Sequence, residues 1–386
     1  MRILVAHNYY GDYAVGGEGQ CAEAEIELLR GHGHEVCFHR RTNFEIKRYG
    51  LCEKLAMARR MLYSEPAYRE MSDLIRGFRP DILHVHNYKF LFTPSVFQAA
   101  KDNGVKTVLT LHNYRLAAPC ALLCRGGEPC TRCVGGCPCR FIWNDCIPWT
   151  FPKRLLELCF YLGTKRRVTR TGLVDAFIAL TPFSKEIHAR GGVPEERIHI
   201  KPNFMAPPEL YVGEKTGAVF IGRISKEKGV DILLRAWEEI DYPLTVIGDG
   251  PLFGRMRQAA PKQVRFTGAL PHDRALEILK RSAFSVFPSI CFEGFPLTVM
   301  EAMACGIPTV ASNLGARPDL VRDGVTGLLF ENMNAGDLRR KAETLIAAPE
   351  TRARMGAEAR REFETHYTAD INYRTLIGIY SRLLAD

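Results

Sequence analysis

Short apolar runs, each closed by a glycine or a polar residue and followed by a helical pattern, recur along most of this chain and restrict it to an α/β fold. The first run lies in residues 1–8. A loop containing Gly16 and Gly17 follows, then a helix with Ala22, Ile26 and Leu29 on one face, then the strand Glu35-Val36-Cys37-Phe38. That order opens a Rossmann-like half, although the glycine spacing is not the GxGxxG of a dinucleotide site. A long amphipathic helical stretch is expected over 45–79. Strands ending at His86, His112 and Leu180 and a short one at Ile198–Ile200 continue the rhythm until the Pro-rich segment Pro202–Pro208 interrupts it. Ala218-Val219-Phe220-Ile221 then starts a second set. A chain of 386 residues is too long for one ordinary core and fits two domains of about 180 residues, divided at 203/204.

The second set carries the chemistry. Ala283–Pro288 reads as a buried strand, and Thr298–Cys305 as a short helix ended by Gly306 and Pro308. Glu293 therefore sits in a loop at the mouth of a parallel sheet, and Glu301 about one turn inside the next helix. Gly294 lets backbone approach a ligand, Pro296 suits a first helical turn, and the N–H groups of Leu297, Thr298 and Val299 offer an anion site. The loop Gly222–Gly229 follows another strand end and precedes a helix. Its Arg223 and Lys228 suit a diphosphate, Arg through bidentate contacts. The turn Gly248-Asp249-Gly250-Pro251, with Gly268, Ala269 and Leu270, can line a flat base. His112 stands at the carboxyl end of a parallel strand, where open α/β sheets bind ligands, and is open to a structural or a catalytic role.

Charge is uneven: residues 1–203 carry 29 Lys/Arg against 20 Asp/Glu, whereas 204–386 carry 23 of each. Basic clusters at Arg40-Arg41, Lys47-Arg48, Arg59-Arg60 and Lys165-Arg166-Arg167 fit either an anionic membrane surface or solvated helix faces. No nucleic-acid module accompanies them. No apolar run reaches the roughly 18 residues of a membrane helix, and the start is too short for a secretory signal, so the chain reads as cytoplasmic. Seven of thirteen cysteines lie between Cys120 and Cys146. Cys130-x2-Cys133, with Cys120 or Cys124 and Cys146, has the ligand count of a structural zinc or an iron–sulfur cluster. Cys137 and Cys139 are substitutes, and reduced thiols are the alternative.

Taken in order, Gly16-Gly17, His112, Gly222-Arg223 to Lys228-Gly229, Gly248-Asp249-Gly250-Pro251, Glu293-x7-Glu301, Gly306-Ile307-Pro308 and Gly324-Val325-Thr326-Gly327 resemble the family-4 retaining glycosyltransferases over nearly the whole chain. The resemblance implies the GT-B fold, two facing Rossmann-like domains with a cleft between them, and a C-terminal helix (about 370–386) that completes the first domain. It implies a nucleotide-diphosphate sugar donor of UDP or GDP type and a polysaccharide, lipid-linked or other glycan acceptor, with no catalytic divalent ion. Arg223 and Lys228 would bind the diphosphate. Glu293 would hold the sugar, with backbone N–H groups from Phe295 to Leu297, and Glu301 the ribose. His112 would lie near the anomeric carbon and Gly17 near phosphate or acceptor. His112-Asn113-Tyr114-Arg115-Leu116 with Pro119, Cys130-x2-Cys133 and Cys146 resembles a bacterial polysaccharide-assembly subgroup, which tends to have a cysteine where Ala118 stands. The basic clusters of the N-terminal half add to the cytoplasmic reading a peripheral place on the inner face of the membrane. The alternatives are a GT-B nucleotide-sugar epimerase and a non-catalytic, metal-stabilised binding protein.

Overall fold

The computed structural model describes residues 1–11, 17–50, 53, 57, 60–144 and 146–385. Its contacts divide the chain into two compact units. The first comprises Met1–Ala121, Thr131–Asn203 and Asn372–Asp386; the second comprises Leu122–Cys130 and Phe204–Ile371.

The first unit is built on the strands β1 (Arg2–Tyr9), β2 (Glu35–Thr42), β3 (Ile82–Asn87) and β4 (Lys106–Leu111), with β7 (Ala176–Ala179) and β8 (Ile198–Ile200) beyond the short hairpin β5 (Cys124–Arg125) and β6 (Glu128–Pro129). The sheet order is β2-β1-β3-β4-β7-β8, and every pairing in it is parallel. Strands covered on both faces need near-continuous apolar sequence, and β3, β4 and β7 are buried almost throughout. One face packs on helix α1 (Gly17–Gly31) through Ile26 and Leu29, and on the last helix, Ala369–Ala385, through Leu376, Ile379 and Tyr380. The single helix expected over 45–79 is instead broken into a one-turn helix, Phe44–Lys47, and a separate helix, Glu65–Phe78, with helical residues at 53, 57 and 60 between them; residues 51–52, 54–56 and 58–59 lie outside the described residues. The reason is local. Ser64 caps the second helix, its Oγ accepting from Ala67 N at 3.4 Å, and Pro66 has no N–H to continue an earlier one.

The second sheet has β9 (Ala218–Ile221), β10 (Leu244–Ile247), β11 (Val264–Gly268), β12 (Phe284–Phe287), β13 (Thr309–Ser312) and β14 (Gly327–Phe330). Its order is β11-β10-β9-β12-β13-β14, again all parallel. Trp237, Phe284 and Phe330 fill its core. In this order the chain winds outward from β9 in one direction and, from β12, in the other. The switch point lies between β9 and β12, where an open α/β sheet leaves a crevice at its carboxyl edge.

Within the first domain a Cys-rich insertion is expected over 118–147; of it, residues 122–130 fall in the second unit. Cys124 lies against the core around Phe284, and Lys226 Nζ donates to Gly126 O at 3.2 Å.

Candidate active site

The loops after β9 and β12, the two strands at the switch point, hold the second-unit residues singled out from sequence. Lys228 ends a short 3-10 turn, Lys226–Lys228, that follows β9. Gly229 then takes a left-handed conformation (φ 68°) and starts helix α2 (Val230–Trp237). A Cβ on Gly229 would lie 2.1 Å from Pro288 O, so the two loops touch through backbone that only glycine permits. This closeness lets Lys228 Nζ reach Glu293 Oε1 at 2.7 Å. Ser289 Oγ donates to the same oxygen at 2.7 Å. Burial alone would raise the Glu293 carboxyl, but the charge and hydrogen bond of Lys228, then Ser289 and Arg317, outweigh it and hold Glu293 below its ordinary value. Glu293 is therefore ionised at neutral pH and already oriented. Arg223, by contrast, is exposed.

The turn after β10 closes on the same edge. Gly248 (φ 140°) lies so near Gly222 that a Cβ would come within 1.9 Å of Gly222 O, and Ile224 N donates to Asp249 O at 2.9 Å. Gly268 ends β11 with open space above its Cα (φ 78°), and Leu270 is half-buried against the apolar cluster around Leu279. Helix α3 runs Leu297–Ala304 with Pro296 as its N-cap, while Phe295 is buried. Val299 N donates to Pro296 O at 3.0 Å, so the expected three-group anion site is corrected to the N–H groups of Leu297 and Thr298. Glu301 lies one turn in. Burial pushes its carboxyl up to about 7, with His272 Nδ1, at 3.7 Å, acting in the opposite sense.

In the first unit His112 follows β4, with Gly17 at the start of α1. Asn113 Nδ2 donates to Glu18 Oε1 at 3.0 Å, tying that helix start to the strand end that carries His112. Gly16 lies outside the described residues. Beneath His112 is a buried network that the sequence reading missed. His86 Nδ1 is 3.0 Å from His112 Nε2, and Glu25 Oε1 lies 3.3 Å from His86 Nε2 and 3.0 Å from His84 Nδ1. Lys201 Nζ donates to Glu25 Oε2 at 2.6 Å. Burial would raise Glu25, but Lys201 and then His84 hold it well below the carboxylate range. Burial lowers His84 to about 4 and His7 to about 3, and takes His112 well below the usual imidazole value, with the neighbouring histidines adding to the effect. A proton on His86 Nε2, facing Glu25, would leave Nδ1 to accept from His112 Nε2–H and make His112 Nδ1 an acceptor. The signal was present as Glu25 on the buried face with Ala22, Ile26 and Leu29, and as His84 and His86 two residues apart on one strand.

The cysteines are scattered in environment. Cys120 and Cys133 are buried, Cys124, Cys130 and Cys146 half-buried, and Cys137 and Cys139 exposed. Cys130 and Cys133 fall in different units. Among the described residues the one grouping of three metal-binding side chains is Glu25, His84 and His86, which contains no cysteine and already has the Lys201 ammonium as its cation. Cys124 instead meets Cys291, their sulfurs 2.8 Å apart, two residues before Glu293. A further unforeseen residue is Arg317, fully buried, whose Nη1 donates to Cys291 O at 3.0 Å and Nε to Ser312 O at 2.8 Å, fixing the main chain of the Glu293 loop.

Comparison with known proteins places the chain in a family. Residues 206–362 match the family described as glycosyl transferases group 1, and residues 15–207, half of the chain, match Glycosyltransferase Family 4. The uncharacterised glycosyltransferase MJ1178 of Methanocaldococcus jannaschii is 33% identical over 160 residues, 40% of this chain and 45% of the relative. A GDP-mannose-dependent alpha-(1-6)-phosphatidylinositol monomannoside mannosyltransferase of Mycolicibacterium smegmatis is 28% identical over 212 residues, 50% of this chain and 55% of the relative. The chain thus spans about half the length of these relatives. Among solved structures, Anabaena Alr3699/HepE in complex with UDP superposes with a TM-score of 0.71 at 16% identity, covering 99% of this chain and 100% of that one. Sucrose-phosphate synthase from Thermosynechococcus elongatus gives 0.74 at 17%, covering 100% of both. These structural likenesses establish the fold. The chain belongs to glycosyltransferase family 4 and has the GT-B fold of two Rossmann-like domains.

Proposed function

We propose that this glycosyltransferase moves a sugar from a nucleotide-diphosphate donor to a glycan, polysaccharide or lipid-linked acceptor with retention of anomeric configuration. The observation that carries the reading is the Lys228–Glu293 pair, 2.7 Å apart at the switch point of the second sheet. Lys228 has three N–H donors and spends one on Glu293, so two remain for a diphosphate. Arg223, exposed on the same loop, supplies a second cation, and the N–H groups at the start of α3 a third source of positive potential. Together they offset the charge that builds on the departing diphosphate, which makes a divalent ion unnecessary for that task. Glu293, held ionised, accepts from hydroxyls of the transferred sugar. Glu301 accepts from the ribose, and the glycine turns at Gly222, Gly248 and Gly268 with Leu270 flank the base. His112 presents an acceptor nitrogen to a hydroxyl of the sugar.

Retention follows if the acceptor attacks the face that the phosphate leaves. The bond from C1 to the phosphate oxygen breaks, the bond from C1 to the acceptor oxygen forms, and the acceptor proton passes to the departing phosphate. The protein then contributes positioning and charge stabilisation. Relatives named as GDP-mannose-dependent mannosyltransferases, and a fold neighbour solved with UDP, make GDP-mannose and UDP-hexoses the first donors to test. Those relatives also favour transfer over the epimerase. The test is proton NMR of the first product formed from the active donor, which is expected to have the donor's anomeric configuration. Glu293→Ala is expected to lose at least about a hundredfold in turnover with its circular dichroism unchanged. An inverted product, or near-normal turnover in the variant, sinks the proposal.

A further inference from the structure

The helix Phe151–Lys165 has its polarity reversed. Its buried side includes Glu157 and Thr164 beside Leu158, Phe160 and Tyr161, and Glu157 forms an interior ion pair with Lys89 Nζ at 2.8 Å. Its exposed stripe is apolar: Pro152, Leu155, Leu156, Cys159 and Leu162 recur at helical spacing and face outward. Leu155, Leu156 and Leu162 are 43%, 47% and 44% exposed. A surface helix ordinarily does the opposite. Trp143, 78% exposed, and Trp149 lie just before this helix, and the Trp143 ring sits 5.8 Å from that of Phe151, itself half exposed. The charge beside the patch has one sign. Residues 131–172 contain eight Lys/Arg and two Asp/Glu, and one of those two acids is the buried Glu157. Lys153, Arg166 and Arg170 are exposed along or just past the helix. Among the described residues no helix is long and apolar enough to cross a membrane.

We propose that the face formed by Trp143, Phe151, Leu155, Leu156 and Leu162 docks on an anionic lipid surface, lying in the interface with the basic residues against the headgroups. The apolar stripe enters the boundary between headgroup and acyl chain, where tryptophan rings are favoured, and Lys153, Arg166 and Arg170 meet the negative surface potential. Neither half alone selects this occupant: leucines would suit another protein, lysines and arginines any polyanion. The two side by side on one helix suit a bilayer. The inference extends the reading that the acceptor includes lipid-linked glycans, because it holds the protein where such an acceptor resides.

The test uses the full chain and vesicles of phosphatidylcholine alone or mixed with phosphatidylglycerol. Trp237 is fully buried and is the third of three tryptophans, so a blue shift of emission on adding vesicles reports Trp143 and Trp149. The expected result is co-flotation and a blue shift with the anionic vesicles, weakened by salt, and weak binding to neutral ones. The double variant L156D/L162D is expected to lose at least tenfold in partitioning with an unchanged melting temperature, since both side chains are solvated. K153E is expected to lose binding to anionic vesicles selectively. Variants that bind as the wild type does, equal binding to both vesicle types, or concentration-dependent self-association through this face without vesicle binding would overturn the proposal. The assay needs no sugar donor. A protein that binds vesicles but transfers no sugar overturns the enzymatic reading and leaves the docking face standing.

Discussion

At the residue scale, Glu301 would make the proposed donor site sensitive to pH. Its carboxyl is buried one turn inside α3 and pushed up to about 7, so it is half protonated near neutrality. In the proposed ribose role, only the ionised form offers both oxygens to the hydroxyls. Below about pH 7 the site therefore loses its acceptor progressively, and nucleoside-diphosphate affinity is expected to be about tenfold weaker near pH 6 than near pH 8. The linkage sign is the reverse for the free protein: a carboxyl raised on folding favours the folded state at low pH, and this contribution fades between the ordinary value of 4.5 and about 7. Isothermal titration at the two pH values measures the affinity, and Glu301→Gln should flatten the dependence. An affinity that is flat with pH in the wild type contradicts the ribose role. Glu293 behaves oppositely because Lys228 and Ser289 reach it, whereas among the described residues the ion-pair partner of Glu301 is His272, at 3.7 Å. The spacing of the two carboxylates was legible in sequence; their opposite electrostatics depend on partners 65 and 4 residues from Glu293.

At the scale of elements, the site is set by how tightly strand ends are packed. Gly248→Ala would place a methyl 1.9 Å from Gly222 O in a conformation (φ 140°) that side chains rarely adopt. It is expected to cost more than about 2 kcal/mol in chemical denaturation and to weaken donor binding. Gly254→Ala, in the helix Phe253–Gln258 with nothing within 4 Å, is the control and should be neutral or mildly stabilising. Equal stabilities in the two variants would remove the packing argument. The β5–β6 hairpin makes a different connection, because Cys124 and Cys291 are already 2.8 Å apart. A disulfide needs about 2.05 Å, a shift of less than about 1 Å. Oxidised glutathione is therefore expected to convert the pair to a disulfide, two thiol hydrogens and two electrons passing to glutathione. Intact mass and peptide mapping read this directly; an unchanged mass, or another pairing, contradicts it. The contact was hidden in the sequence because 167 residues separate the two sulfurs. Cys291 stands outside the cluster that drew attention to Cys120–Cys146.

For the molecule as a whole, the two parallel sheets were legible because strands covered on both faces must be apolar and must alternate with helices. Ala218–Ile221 and Phe284–Phe287 needed no partner to be recognised. Strand order was not legible from the runs themselves, yet the order β9-β12 at the centre of the second sheet is what brings Lys228 to Glu293. The helix at 45–79 was misread because amphipathic periodicity persists across the break at Ser64-Glu65-Pro66. The Glu25–Lys201 pair was missed because its halves are 176 residues apart and a buried charge looks like any surface charge until its partner is seen. In the proposed function the loops at this switch point bind the donor's diphosphate through Lys228. The most direct test is isothermal titration of UDP and GDP into the wild type and Lys228→Ala. The wild type is predicted to bind one of the two, and the variant to bind it at least about tenfold more weakly while keeping its melting temperature within a few degrees. Equal affinity of the two proteins for that nucleotide would contradict the account.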